Sequence, residues 1–378
     1  MANNQINILH IFSKMNRGGA ELRTIDLLDK IDLDAYSFYF CALSGQRGEL
    51  DDLIAGMGGQ MTYCKFRSIT FPYRFIKLLK QHRIHVVHSN MYYFSGLILM
   101  LAKIAGIKVR IAHFRTTDSG KKGGRLQRYK YNLMKSLINR YATIILGVSR
   151  SSIVSSMGKD IVNDKRTEVI YNGIDLNKIN GPVDEEKSLR SKYRLGEDSK
   201  IVIHIGRLVE AKNHIKLIKV FKEMLRKGDY YLFLVGKENE PTAGLIREKI
   251  EEYAIRDRVF FLGVQSNVYE LLQQADLMIY PSIREGLPGA VLEALACGVP
   301  VLGSSIDPIV ELASYFKVLK YLPLEANDEL WASEAVGLIG ESERMSFKDH
   351  AYEEFRNTPF TIDKAAEQYV QLMDKAMK

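Results

Sequence analysis

Cysteine is scarce: Cys41, Cys64 and Cys297 are the three in 378 residues, an odd number with no metal or redox spacing. Buried free thiols in a reducing compartment are the expectation. Long apolar runs are also missing, since the longest region, 92–107, is broken by Ser95, Lys103 and two glycines and falls short of the roughly twenty residues that span a bilayer. The first residues, Met1-Ala-Asn-Asn-Gln-Ile6, lack the basic and apolar regions of a secretory leader. A cytoplasmic protein is expected. Neither a G-x-G-x-x-G fingerprint nor a P-loop occurs. No Asp-x-Asp follows a strand; the match Asp32-Leu33-Asp34 falls in a polar turn.

What is present has the composition of a soluble globular protein, with 46% hydrophobic and 26% charged residues. The length suits two domains with separate cores. Net charge is +8, yet it divides as +14 over residues 1–180 and −6 over 181–378. A basic half seeks an acidic surface. Nucleic acid is set aside, because no zinc spacing, recognition helix or aromatic RNA-binding motif accompanies the charge. An anionic membrane leaflet or a diphosphate-bearing acceptor fits better.

Strand-like and helical segments alternate in both halves. Ile6 to Phe12 reads as a strand leading through Arg17, Gly18 and Gly19 into a helix, the form of a phosphate cradle on a doubly wound sheet. Two later strands end in His88, with Asn90 just after it, and in His113, followed by Arg115. Strand carboxyl ends are where such sheets bind ligands. Phe71 to His82 is amphipathic with a basic face, and 121–140 carries Lys121, Lys122, Arg125, Arg128, Lys130, Lys135 and Arg140 around Tyr129 and Tyr131. Acceptor or headgroup binding and a solvated face both account for that charge.

A charged linker follows, and then a second series of strands. Ile201 to Ile205 is its first, and the loop behind it carries Arg207 and Lys212, two cations placed to clamp a diphosphate. Gly236 ends the next strand, and Val264 follows a Phe-Leu-Gly strand end. The most informative stretch is 275–300. A short apolar strand ending at Tyr280 enters the loop Pro281-Ser-Ile-Arg-Glu285-Gly286-Leu287-Pro288-Gly289, and a helix bearing Glu293 stops at Gly298 and Pro300. Free backbone amides at the helix start, framed by two carboxylates, suit an oxygen-rich and partly anionic ligand. From the residues alone this is a polyol or phosphate pocket.

Glu285 and Glu293 at their spacing, the Glu-Gly-Leu-Pro loop and the closing Gly298-Val-Pro-Val301 resemble the sugar-nucleotide site of retaining glycosyltransferases of the GT-B fold, family 4. Gly206-Arg207-Leu with Lys212-Asn213 is similar to the diphosphate loop of that family, and Gly18-Gly19-Ala-Glu21 to its turn at the interdomain cleft. The resemblance implies two Rossmann-like domains facing a central cleft: an acceptor-side domain over 1–180 with the terminal helix, 361–378, packed back on it, and a nucleotide-sugar domain over 181–360. It implies donor binding by Gly19, Arg207, Lys212, Gly236, Val264, Glu285, Gly286, Leu287, Pro288, Gly289 and Glu293. Arg17, Gly18, His88, Asn90 and Arg115 would lie on the acceptor side, while His113, Arg207, Lys212 and Glu285 would serve the reaction. Retention comes from the family alone.

Without a suitable Asp-x-Asp, the cations and helix starts must neutralise the departing diphosphate, so no metal and no cofactor are expected. A UDP-linked sugar is the expected donor. The segment 305–331, with Trp331-Ala, resembles transferases of capsule and exopolysaccharide assembly, which favours a glycan or polyprenyl-diphosphate acceptor at the inner membrane face. Family members often carry His where this chain has Asn90, and His or Gly where it has Phe114. A sugar-nucleotide epimerase of the same fold and a non-catalytic sugar-binding module remain as rivals; the first needs a further carboxylate in the first domain, and the intact Arg207, Lys212 and Glu285 oppose the second.

Overall fold

The computed structural model describes residues 5–117, 124–179, 188–344 and 346–378. Lys121, Lys122 and residues 182–187 of the expected linker, 182–198, lie outside them. The chain forms two compact units, 1–173 with 362–378, and 174–361. The change from one to the other falls at Gly173, a few residues ahead of the expected position 180.

The first unit is built on a parallel sheet of seven strands: β1 (Ile6–Phe12), β2 (Tyr36–Ala42), β3 (Gln60–Tyr63), β4 (Val86–Ser89), β5 (Val109–Phe114), β6 (Ile144–Gly147) and β7 (Thr167–Val169), in the order 3-2-1-4-5-6-7. Parallel strands buried on both faces read as near-continuous apolar runs, and β4, β5 and β6 are buried throughout. Helices Phe71–Gln81, Ser95–Ile104 and Arg125–Tyr141 cover one face. Helices Gly19–Leu28 and Ile362–Met377 cover the other. The terminal helix buries Ala365, Ala366, Tyr369, Leu372 and Met373. At about 1.5–3 kcal/mol for each large apolar side chain, that docking is a sizeable part of a domain's marginal stability.

The second unit repeats the plan with β8 (Lys200–Ile205), β9 (Tyr230–Val235), β10 (Val259–Gly263), β11 (Leu277–Tyr280), β12 (Val301–Ser304) and β13 (Leu319–Leu322), in the order 10-9-8-11-12-13. Strand order reverses between β1 and β4 in one unit and between β8 and β11 in the other. Ligands of doubly wound sheets bind outside the carboxyl ends of the strands at such a reversal.

Candidate functional site

In the second unit two loops meet at the reversal. The loop behind β8 runs from Gly206 to Asn213, which takes a left-handed conformation (φ 54°) and opens helix His214–Met224. The loop behind β11 runs from Pro281 to Pro288 and enters helix Gly289–Ala296. The amide of Ile283 donates to the Ala211 carbonyl at 2.8 Å and ties the loops together. A third loop presses on the first. Gly236 (φ 145°) lies so close to Gly206 that a Cβ there would sit 2.1 Å from its carbonyl oxygen, so only glycine fits. The Gly236 amide is spent on the Gly263 carbonyl, which makes its role one of close approach and not of donation.

This arrangement brings Lys212 and Glu285 together. The ammonium lies 2.6 Å from Glu285 Oε1, with the two side chains 18% and 14% exposed, and it also donates to the Tyr280 hydroxyl. That hydroxyl in turn donates to Glu285 Oε1 at 3.1 Å. Burial disfavours the Lys212 ammonium, but Tyr280 and Glu285 outweigh it and raise the pKa above the usual lysine range. Burial and then Glu285 push the Tyr280 phenol up. Beneath Tyr280 stacks His204, 5.3 Å between ring centres, with Nδ1 on the Ile279 carbonyl at 2.9 Å. Burial lowers His204 well below the usual value and His214, its neighbour, to about 4; both rings are neutral at pH 7.

Arg207 is exposed, and its guanidinium has no partner among the described residues. It shares the Lys212 loop without joining the Lys212–Tyr280–Glu285 triangle. Gly286, Leu287 and Pro288 are buried; Gly289 is half-buried and starts a helix that no side chain caps. The amides of Val291 and Leu292 go to Pro288, which leaves those of Gly289 and Ala290 without an acceptor among the described residues. Glu293 is half-buried in the second turn, near enough to Cys297 to add to the burial that pushes this thiol up to about 12. Val264, 72% exposed, follows the end of β10.

The first unit places a different set at its reversal. His10 on β1 and His88 on β4 are register partners with rings 4.6 Å apart. His88 Nε2 lies 2.9 Å from His113 Nδ1 on β5, and His88 Nδ1 lies 3.1 Å from the Tyr369 hydroxyl of the terminal helix. The same hydroxyl is 3.5 Å from His10 Nε2. Burial, aided by Arg115, lowers His10 to about 3, and burial lowers His88 and His113 well below the usual value. All three rings are neutral, so each places its neighbour's proton. Arg115, lowered to about 10 by burial with Glu21 opposing, remains charged. It donates to Asn90 Oδ1 at 2.8 Å and Thr24 Oγ1 at 2.7 Å. His113 Nε2 and Asn90 Nδ2 are buried with no partner among the described residues. A cavity of about 20 Å³ lined by His10, His88, His113, Arg115, Asn172 and Tyr369 has room for about one water.

These contacts bear on two expectations. His88 spends both nitrogens inside the protein, so it reaches a ligand only through His113. Arg115 spends donors on Asn90 and Thr24, both within the first unit. The Gly18-Gly19 turn does start a helix, but Glu21 folds over it: a Cβ at Gly18 would lie 2.4 Å from Glu21 Oε2. A carboxylate of the chain itself thus stands at the positive helix end that suggested an anion cradle. The Arg17 amide donates to Glu49 at 3.2 Å, and its side chain is exposed. Sequence reasoning missed Tyr280, Tyr369, His10 and His204. Tyr280 had a signal in its place at a strand end before Pro281; Tyr369 lies 281 residues from His88 and had none. Among the described residues no group of three or more His, Cys, Asp or Glu is arranged to hold a metal ion.

Two doubly wound units of this strand order define a GT-B architecture, and comparison with known proteins agrees. Residues 185–322 match the family model described as glycosyl transferases group 1, and residues 17–178 match glycosyltransferase family 4. The chain is 33% identical over 348 residues to the capsular polysaccharide biosynthesis glycosyltransferase CapH of Staphylococcus aureus, covering 91% of this chain and 94% of CapH. It is 27% identical over 324 residues, 80% of each chain, to the N,N'-diacetylbacillosaminyl-diphospho-undecaprenol alpha-1,3-N-acetylgalactosaminyltransferase of Campylobacter jejuni. Anabaena HepE, solved in complex with UDP-glucose, shares the fold with a TM-score of 0.82 at 19% identity, over 98% of this chain and 100% of HepE. The lipopolysaccharide glycosyltransferase WaaG does so with a TM-score of 0.73 at 16% identity, over 97% and 99%. The chain belongs to the group 1, family 4 glycosyltransferases.

Proposed function

We propose that this transferase moves a sugar from a UDP-linked donor to a lipid-diphosphate-linked glycan of the cell envelope, with retention at the anomeric carbon and without a metal ion. The observation that carries the reading is the Lys212–Tyr280–Glu285 triangle beside the uncapped helix start at Gly289. A diphosphate entering this site competes with Glu285 for the ammonium. Once Lys212 turns to phosphate, Glu285 is free to accept hydrogen bonds from sugar hydroxyls, which amides and ammonium groups cannot do. Arg207 supplies the second cation, and Glu293 takes the ribose hydroxyls.

Chemistry then follows from charge. The bond between the anomeric carbon and the diphosphate oxygen breaks, and its electron pair leaves with the oxygen. Lys212, Arg207 and the amides of Gly289 and Ala290 stabilise that negative charge. The acceptor hydroxyl attacks from the face the leaving group vacates, and its proton passes to the departing oxygen. His113 presents Nε2 to a substrate hydroxyl. Support for the acceptor class comes from the two curated relatives: one named for capsular polysaccharide biosynthesis, the other for a diphospho-undecaprenol substrate. Support for uridine comes from HepE, solved with UDP-glucose.

The test is thermal unfolding with UDP-glucose, UDP-N-acetylglucosamine, UDP-N-acetylgalactosamine and GDP-mannose, each with excess chelator. A bound donor stabilises by about 2.7 kcal/mol at a hundredfold excess over Kd. At least one UDP-sugar is expected to raise the midpoint under chelation. Stabilisation by GDP-mannose alone removes the uridine assignment, and stabilisation only with added divalent ion removes the metal-free one.

A further inference from the structure

From Leu53 to Lys159 the chain has 19 Lys and Arg residues and a single acid, Asp118. Cations so placed have a single carboxylate in their own segment to pair with. Among the described residues Lys65, Arg67, Arg74, Lys77 and Lys80 are exposed, as are Arg125, Arg128 and Lys130, and none of them forms a salt bridge. Interleaved with them are apolar side chains that should not face water. Ile69 is 98% exposed, Tyr73 70%, Leu126 67% and Tyr129 67%; Phe66 and Leu133 are also exposed. Leu126, Tyr129 and Leu133 stand at i, i+3 and i+7 and form one stripe on helix Arg125–Tyr141. That helix already packs another face on helix Ser95–Ile104, where Gly96 admits the Met134 carbonyl and Leu137. It therefore has a second, bare apolar stripe.

The two apolar sets share one rim. Helices Phe71–Gln81, Ser95–Ile104 and Arg125–Tyr141 cover the same sheet face, and each begins beyond the carboxyl edge of that parallel sheet. The turn Tyr92–Phe94 joins the sets: the Phe66 and Phe94 rings lie 4.4 Å apart, and those of Tyr93 and Tyr131 lie 3.9 Å apart. A belt of aromatic and aliphatic side chains framed by unpaired cations results, at the edge where β4 and β5 carry His88 and His113. No described helix is long and apolar enough to cross a membrane. A surface with these two components suits the boundary between headgroups and acyl chains of an anionic leaflet, where aromatic rings settle and Lys and Arg meet phosphates.

We propose that this rim of the first unit docks on an anionic lipid surface, with Ile69, Tyr73, Leu126 and Tyr129 entering the headgroup layer and the surrounding cations pairing with lipid phosphates. The inference deepens the lipid-linked acceptor reading, since a docked rim presents the His113 edge to a diphosphate held in the same leaflet. Its test needs neither donor nor acceptor, so the two readings fail separately.

The experiment is flotation of the full chain with vesicles of phosphatidylcholine alone and with about one-third phosphatidylglycerol. Binding to the anionic vesicles and not to the neutral ones is expected, weakening as salt rises. Arg125→Ala with Arg128→Ala should weaken it about thirtyfold, at roughly 1 kcal/mol per cation near the surface. Ile69→Asp with Tyr129→Asp should weaken it at least as much, with an unchanged melting midpoint because both positions are exposed. The proposal is overturned if the chain ignores anionic vesicles or if both double variants bind like the parent. It is equally overturned if Ile69→Asp with Tyr129→Asp converts an oligomer to a smaller species, since the belt then joins copies of this chain.

Discussion

The two units repeat one design and load it differently. The first strand of each carries a histidine at its carboxyl end, in Leu9-His10-Ile11 and Ile203-His204-Ile205, and each reaches toward the strand across the reversal. His10 meets the His88 ring on β4, whereas His204 bonds a β11 carbonyl and carries Tyr280 on its face. What lies above diverges. The first unit builds a neutral ladder, His10, His88, His113 and Tyr369, while the second builds a charged triangle from Lys212, Tyr280 and Glu285. Burial explains the first, since desolvation strips the imidazoles of charge; the partly buried Lys212 stays charged because a carboxylate and a phenol oxygen face it. Under the function proposed above, the unit that holds a diphosphate needs fixed charge, and the one that orients a hydroxyl needs only a placed proton.

The comparison breaks most visibly at Lys212. Lys212→Ala should lower kcat/KM by about a thousandfold, the scale of losing one preorganised contact to the leaving group, and leave the circular dichroism spectrum unchanged. Near-parental nucleotide release would take the triangle out of the chemistry. His113→Ala should cost about a hundredfold in kcat, as for loss of one positioned hydrogen-bonding group. In that variant stabilisation by a UDP-sugar should persist, because the donor-side residues fold within the second unit. If donor stabilisation vanished too, the division of labour between units would be wrong.

How far the sequence reveals this depends on how locally each signal is written. Strands buried on both faces, such as β4, β5 and β12, show as apolar runs; the short edge strands β3 and β13 are partly exposed and pass unread. Glu285 and the Lys212 loop are legible because spacing and flanking turns are local. Their ion pair spans 73 residues and needs the fold. His88 is visible as a strand-end histidine, but no sequence pattern tells that Tyr369 and His113 consume both its nitrogens. The likeness of Gly18-Gly19 to a phosphate cradle carries no sign that Glu21, one turn on, places a carboxylate at the same helix start.

Acid should test the neutral side of the comparison. Each buried histidine has a folded pKa below its unfolded value near 6.5, so the unfolded chain binds more protons as pH falls through that value. Stability is fully present above pH 6.5 and is lost progressively below it. For His10, with a folded pKa of about 3, the loss at pH 5 is on the order of 2 kcal/mol, about thirtyfold in the folding equilibrium. Melting scans from pH 8 to 5 should show a falling midpoint, and a flat profile would mean that the ladder is solvated. His10→Asn, which has no proton to gain, should flatten the slope.

The finest test separates proton placement from packing in the ladder. Tyr369 has one hydroxyl proton and two imidazole acceptors in reach, His88 Nδ1 at 3.1 Å and His10 Nε2 at 3.5 Å. Given to the nearer, it leaves His88 protonated on Nε2, which then donates to His113 Nδ1 at 2.9 Å. His113 is then fixed with its proton on Nε2, the atom with no partner among the described residues. Tyr369→Phe keeps the ring in the core and deletes only this instruction. Nitrogen-15 spectra of labelled histidines should show His113 as one tautomer in the parent and a mixture in the variant. The accompanying loss in kcat should be severalfold, since half of an unbiased population still has the right proton. A His113 signal unchanged by Tyr369→Phe would mean that the sheet orients the ring unaided and that the terminal helix contributes packing alone.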